Sequence, residues 1–350
     1  MRSKKHAIVM AGIGSVTLAL AACSGTPQGS SIGDPDQDSF TYVAISKSLN
    51  NPAFTVAETG AQARAQELGN VTIEWVAPAD ADPAKEAQMI EGYVQRGVDG
   101  LLINSLGPSV CSAVDQAVAA GIPVVMWDSD CPDSTRTAYV GSDNYKGGLK
   151  AAELYAAATA DQGHQKIAIL TGVPGSFNLG ERDRGFIDGL DEAGLDYEIA
   201  TTVPGHDDLT KSVDAVESTL QGDPSINGFY FDGPWPLLVE QAALPVMIER
   251  VKAGELTVVG FDTLEATLSY AEDELVVGLV GQKYYGWGYQ GVTVIHEIVA
   301  NGATYPEIID TGLDIVTPDG EGDMFTPQEM AAMWESEEFD ETPLMPEDVA

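Results

Sequence analysis

The stretch Gly100–Asp128, GLLINSLGPSVCSAVDQAVAAGIPVVMWD, decides the fold. Gly100–Asn104 is a short apolar run that ends in a polar residue. Pro108–Ala120 follows as an amphipathic helix opened by proline, and Pro123–Asp128 is a second, β-branched run that again ends in a polar residue. Strand, helix, strand at this spacing lays two parallel strands side by side. The same alternation extends in both directions. Before it, Thr41–Ser46 and Val71–Val76 read as strands, with helices over Ala53–Leu68 and Pro83–Arg96. After it come the strands Arg136–Val140, Lys166–Thr171, Glu198–Val203, Gly228–Asp232 and Leu256–Asp262. Between them lie helices over Tyr145–Ala160 and Leu179–Ala193, one ending at Leu220 and one running through Lys252. Such a series predicts parallel sheets covered on both faces. The folded length of about 310 residues exceeds one typical domain, so two doubly wound α/β lobes are expected.

The N-terminus speaks to compartment. Arg2, Lys4 and Lys5 precede an apolar core from Ala7 to Ala22, followed by Cys23, which is the pattern of a bacterial export signal. The run is shorter than the ~20 residues of a membrane-spanning helix. Leu20-Ala21-Ala22-Cys23 resembles the lipobox of bacterial lipoproteins, which implies cleavage after residue 22 and lipidation of Cys23. Residues 23–38, rich in Ser, Gly, Pro and Asp, read as the lipidated cysteine and a flexible tether. Removing residues 1–22 takes three of the 17 basic residues, so 14 face 54 acidic ones, a net charge of −40. That excludes nucleic acid as a partner. It also disfavours a polyanionic ligand. With Cys23 assigned to lipid, Cys111 and Cys131 are either a disulfide in an oxidising compartment or buried free thiols.

Polar residues gather where the strands end: Asn104, Asp128, Thr171, Asp232, Asp262 and Gln282. In open α/β sheets, ligands bind beyond the carboxyl ends of the strands. The alternative for each residue is that it caps the next helix. Several segments carry a family likeness: Asn50-Asn51-Pro52-Ala53-Phe54, Asp82-Pro83-Ala84-Lys85, Gly121-Ile122-Pro123-Val124-Val125, Gly141-Ser142-Asp143-Asn144, Glu181-Arg182 and Val258-Val259-Gly260-Phe261-Asp262. In this order and spacing, from about Phe40 to Gly302, the chain resembles the ribose-binding-protein family of type I periplasmic binding proteins. The resemblance implies two Rossmann-like lobes joined by a three-segment hinge. It further implies capture of a small neutral sugar or polyol for an ABC permease and its ATPase, with no enzymatic activity, cofactor or metal. Asn51 and Phe54 match the positions that bond and stack on the sugar, and Asn104 and Asp128 match further contacts in the same lobe. Arg182 matches the guanidinium of the second lobe, Asp262 the carboxylate that grips hydroxyls, and Gln282 the amide at the last crossing.

Three departures qualify the ligand. Ala53 replaces a second aromatic residue. Gly233 stands where the family has an asparagine, leaving Asp232 or Trp235 to make that contact. Ser129 and Asp130 follow Asp128 without the usual basic residue, and either is left to substitute. Trp235, held between two prolines, is a candidate replacement stack, whereas Trp287 reads as helix packing. The expected lobes comprise residues 39–141 with 283–311 and residues 142–282 with 312–320, followed by an acidic extension over 321–350. That extension reads as loose and partly docked. Crossings are expected near Gly141-Ser142, Asp262-Thr263 and Gln282-Lys283. The expected form is a monomer anchored to the outside of the cell membrane through its lipid. A hydrolase is disfavoured because none of His6, His164, His206 and His296 has metal-ligand spacing. A sensor of the same fold, feeding a chemoreceptor, kinase or quorum system, is the alternative role.

Overall fold

The computed structural model describes residues 39–349, apart from positions 50, 337 and 338. The expected signal peptide, Cys23 and the whole of the tether lie outside the described residues. The chain begins with β1 (Phe40–Ile45), α1 (Pro52–Leu68), β2 (Val71–Val76), α2 (Pro83–Arg96), β3 (Gly100–Ile103), α3 (Pro108–Ala119), β4 (Val124–Trp127) and β5 (Ala138–Gly141). It continues with α4 (Asn144–Thr159), β6 (Gln165–Thr171), α5 (Phe177–Glu192), β7 (Tyr197–Pro204), α6 (Leu209–Gly222), β8 (Gly228–Phe231), α7 (Pro245–Lys252), β9 (Thr257–Phe261), α8 (Glu265–Glu272) and β10 (Leu279–Gln282). It closes with α9 (Tyr284–Asn301), β11 (Ile308–Asp310), β12 (Leu313–Val316) and α10 (Pro327–Ser336).

These strands form two six-stranded sheets, ordered β11-β5-β4-β3-β1-β2 and β12-β10-β9-β8-β6-β7. Every pairing is parallel except β10 with β12. The two orders match strand for strand, so each lobe has its switch point beside its first strand, between β1 and β3 and between β6 and β8. Interior strands such as β3, β4, β8 and β10 are buried along their whole length, as helices on both faces require, while edge strand β7 alternates between half-buried and exposed. Each sheet accordingly divides two apolar cores. Ile45, Leu101 and Val114 lie on one side of the first sheet, and Tyr42, Ala57 and Trp287 on the other.

The chain passes between lobes at three places: from β5 to α4, from β10 to α9, and from β11 to β12. The crossing expected at Asp262-Thr263 is therefore corrected. Beyond β9 the chain remains with the second sheet, where α8 packs beside α10, and the third crossing runs through Thr311-Gly312. The extension is also less loose than expected. It forms α10, with Met330 buried in the second lobe's core, and Phe339 and Leu344 continue onto α9 of the first lobe. No helix among the described residues is long and apolar enough to cross a membrane.

Helices that position the site touch through glycine. A Cβ at Gly288 of α9 would collide with the Ala57 carbonyl of α1, and one at Gly148 of α4 would collide with the Arg182 carbonyl of α5. Such contacts bring backbones closer than side chains allow, so adding one methyl forces the helices apart. Gly288→Ala is expected to cost about 1–3 kcal/mol, measurable as a lowered denaturant midpoint with unchanged slope.

Candidate functional site

The carboxyl ends of the two sheets face each other across a cleft. Its walls include Lys47, Asn51 and Asp128 from the first lobe's strand ends and loops, Ala53 and Phe54 from the start of α1, and Trp287 from α9. The second lobe contributes Asn178, Leu179, Arg182, Asp207, Pro234, Trp235, Asp262 and Gln282. About 20 Å³ of free space remains among these side chains, so a small molecule enters by parting the lobes rather than by filling a ready-made hole.

Three cleft carboxylates are aimed by unusual backbone, Asp207 among them with φ of 55°. Asp128 and Asp262 follow β4 and β9 with φ of 55° and 74°. This left-handed region costs an ordinary residue energy, is tolerated best by Asn and Asp, and concentrates at functional sites. Neither residue caps a helix. Asp82, Asp143 and Asp208 cap α2, α4 and α6, leaving the strand-end acids free for the cleft. Asn51 does both jobs, since its Oδ1 accepts from the Ala53 amide at the start of α1 while its side chain also lines the cleft.

Arg182 lies at the centre, almost wholly buried. Its Nε donates to Asn144 Oδ1 at 2.8 Å and its Nη1 to the Asp232 carbonyl at 2.8 Å, while the guanidinium stacks on Phe261, 4.3 Å from the ring centre. These contacts leave Nη2 without a hydrogen-bond partner and 3.9 Å from Asp128 Oδ1. Asp262 Oδ1 accepts from Gln282 Nε2 at 2.8 Å and from the Tyr284 hydroxyl at 2.9 Å. Burial raises the Asp262 carboxyl above its ordinary range, and the charge of Arg182 opposes that rise.

Four polar or aromatic cleft residues escaped the sequence reading, Lys47, Asn178, Asp207 and Trp287, as did the apolar Leu179 and Pro234. Lys47 reaches Asp128 Oδ2 at 3.3 Å and donates to Asn178 Oδ1 at 3.2 Å, so it joins the two lobes. It supplies the positive charge beside Asp128 that the following residues lack. Asp130 is unavailable for that place, being held in a two-point pair with Arg136. Trp287 was expected to be packing only, yet it edges the cleft with its indole N–H unpartnered. The signal for Lys47 was present as a lone basic residue just after a strand end, in a chain with only 17 lysines and arginines.

The remaining predicted residues divide. Asn51, Phe54, Asp128, Arg182, Trp235, Asp262 and Gln282 converge on the cleft. Asn104, Ser129 and Asp232 are buried behind its wall, with no hydrogen-bond partner for either side-chain end of Asn104 or for the Ser129 hydroxyl. Gly233 is explained by Trp235, since a Cβ at Gly233 or Gly172 would strike the indole. The ring has taken the space an asparagine would occupy. Cys111 and Cys131 form a disulfide that ties the start of α3 to the loop after β4. On the same rim, Gly107 of the first lobe faces the Gly175 carbonyl of the second.

Once this geometry is in view, its affiliation follows. Residues 42–303 match the periplasmic binding protein domain family, and the chain belongs to that family of binding proteins, which are not enzymes. The ribose import binding protein of Bacillus subtilis is 32% identical over 272 residues, spanning 75% of this chain and 84% of that protein. The D-apiose import binding protein of Actinobacillus succinogenes is 28% identical over 69% of this chain and 74% of its own length. Among solved structures, an ABC transporter solute-binding protein from Burkholderia graminis in complex with D-arabinose superposes with a TM-score of 0.72 at 30% identity, covering 83% of this chain and 99% of its own.

Asp207 generates a prediction about stability. Burial pushes its carboxyl up to about 6, with the charge of Lys47 pulling partly back. A carboxyl raised in the folded state holds its proton there after the unfolded chain has lost it. Stability from this group is therefore full below about pH 3.8 and falls as pH rises toward 6. Asp207→Asn is expected to melt with the parent at pH 3.5 and above it at pH 7, in paired thermal scans.

Proposed function

We propose that this chain is an extracytoplasmic lipoprotein that captures a neutral monosaccharide or polyol between its lobes and delivers it to an ABC importer. One observation carries the reading. Unpartnered polar atoms of both kinds line the cleft: Asp207 Oδ1 and Gln282 Oε1 accept, while Arg182 Nη2, Trp235 Nε1 and Trp287 Nε1 donate. A hydroxyl group both donates and accepts, so a ligand bearing several of them satisfies such a mixed set where a purely acidic or purely basic solute leaves part unpaired. The rings of Phe54, Trp235 and Trp287 offer flat apolar surface to the C–H faces of a sugar. The lining carries three carboxylates, Asp128, Asp207 and Asp262, against the two cations Lys47 and Arg182, which disfavours an anionic solute.

The names of the relatives agree in kind, being those of import proteins for ribose and D-apiose. The export signal and Cys23 support lipid anchoring outside the cytoplasmic membrane. Lobe boundaries at 141/142, 282/283 and 311/312 make Arg182, Trp235 and Asp262 one jaw and Asn51, Phe54 and Asp128 the other. A solute touching both jaws stabilises the closed arrangement by its contacts with each, which gives the importer a state to recognise.

The test is a thermal-shift screen of pentoses, hexoses, polyols, amino sugars, organic acids and short peptides. A ligand that binds only the folded state at a hundred times its dissociation constant adds about 2.7 kcal/mol. At least one neutral sugar or polyol is expected to raise the melting temperature, and Asp262→Ala to abolish that rise. An acid or peptide as the sole hit would refute the substrate class, and normal binding by Asp262→Ala would show the contacts to be misplaced.

A further inference from the structure

Beyond residue 316 the chain runs from one lobe to the other. Phe325 pairs with β12 through hydrogen bonds to Ile315 and Thr317. Helix α10 then lies beside α8, with Met330 in the second lobe's core and Gln328 Nε2 donating to Glu272. At the end of α10, Trp334 Nε1 donates to the Thr263 carbonyl at 2.8 Å, and its ring stacks on Tyr284, 5.9 Å between centres and 22° between planes. The next anchors belong to the first lobe. Phe339 lies flat on Tyr285 at 4.4 Å, Glu341 accepts from the hydroxyls of Tyr285 and Tyr289, and Gln290 brackets Thr342 and Leu344 with a donor and an acceptor. Tyr305 donates to the Leu344 carbonyl. A void of about 410 Å³ separates this segment from the hinge residues Gln282, Lys283 and Thr311 beneath it.

We propose that residues 325–336 and 339–344 form a strap, a fourth tie between the lobes, which favours the closed arrangement and holds Asp262 in position for the ligand through Trp334 and Tyr284. The proposal rests on the cleft being the binding site. Two consequences of the geometry carry it. First, the strap is bonded to α8 and β12 at one end and to α9 at the other, so rotation about the three crossings must stretch or break one set of anchors. A tie satisfied in one arrangement only shifts the equilibrium toward that arrangement, and the apparent affinity for a ligand scales with the fraction of molecules in it. Second, the path to the cleft is short. Trp334 presses on Tyr284, whose hydroxyl donates to Asp262 Oδ1 and accepts from the Thr263 amide, so Trp334 acts as a positioning residue without touching the ligand. The matched family domain ends at residue 303, before the strap begins.

The test uses the chain with and without its last anchors. A version ending at Ser336 keeps α10, and the full-length double variant Phe339→Ala/Glu341→Ala removes the ring stack on Tyr285 and the carboxylate bond to its hydroxyl should the shorter chain not fold. In small-angle scattering without ligand, both are expected to show a larger radius of gyration than the parent. With D-ribose and D-arabinose as probes, calorimetric titration is expected to show about tenfold weaker binding, within the usual range of coupling between sites. Trp334→Phe, which keeps the stack, is expected to bind nearly as the parent does. Trp334→Ala and Tyr284→Phe each weaken binding, and their combination weakens it no further than the worse of the two. Unchanged scattering for both anchor variants, or additive losses for Trp334→Ala and Tyr284→Phe, would overturn the proposal. Should the parent bind neither probe, the sugar reading is what suffers, and ligand-free scattering still decides whether the strap ties the lobes.

Discussion

A buried guanidinium between two jaws sets the conditions for everything around it. Taking an arginine out of water is tolerable only when fixed partners replace the lost hydration. Arg182 finds them in the Asn144 side chain, the Asp232 carbonyl and the face of Phe261. Those partners come from α4, the end of β8 and β9, so the arginine can be satisfied only when the second lobe is fully assembled. Its charge in turn opposes the burial that raises the Asp262 carboxyl, and Asp128 of the opposite lobe stands 3.9 Å from its Nη2. The cleft is thus an electrostatic balance. Lys47 on one side and Arg182 on the other hold acids in place, and their uncommitted atoms point inward.

That balance also accounts for the aromatic residues. Phe54 and Trp287 pack edge-on and tilted against Trp127, and Tyr284 meets Trp287 edge-on, so the first lobe backs the cleft with a continuous sheet of rings. The second lobe adds Trp235 over Gly172 and Gly233. The sequence replaced one stacking residue by Ala53, and the structure shows indoles rather than a second phenyl ring bordering the space.

Much of the architecture was legible because parallel sheets leave a plain trace: short apolar runs, amphipathic helices, and glycine or proline at the joints. Strand ends were read one residue too long at Asn104, Asp128, Asp232 and Asp262. At Asp128 and Asp262 the backbone turns left-handed, which composition does not announce. The cleft was legible where a residue type is unusual for its place, as with Arg182 and Trp235. It was hidden where the place is remote in sequence. Lys47 meets Asn178 across 131 positions, and Trp287 sits in a helix that is buried over most of its length. The C-terminal segment was misread for the same reason. Trp334 and Phe339 are isolated apolar residues among acids, and their partners Tyr284 and Tyr285 lie some fifty positions away, so no local periodicity reveals them.

The threading of the chain bears on when the molecule can fold. The first sheet is missing its edge strand β11 until residue 310 has been made, and the packing helix α9 that covers one of its faces comes only just before. The second sheet awaits β12, so neither half is complete while the chain is emerging. Contacts so distant along the polypeptide slow folding. One face of the first sheet has all its core residues by Val173, but the opposite face waits for α9 and both sheets wait for their last strands until synthesis is almost finished.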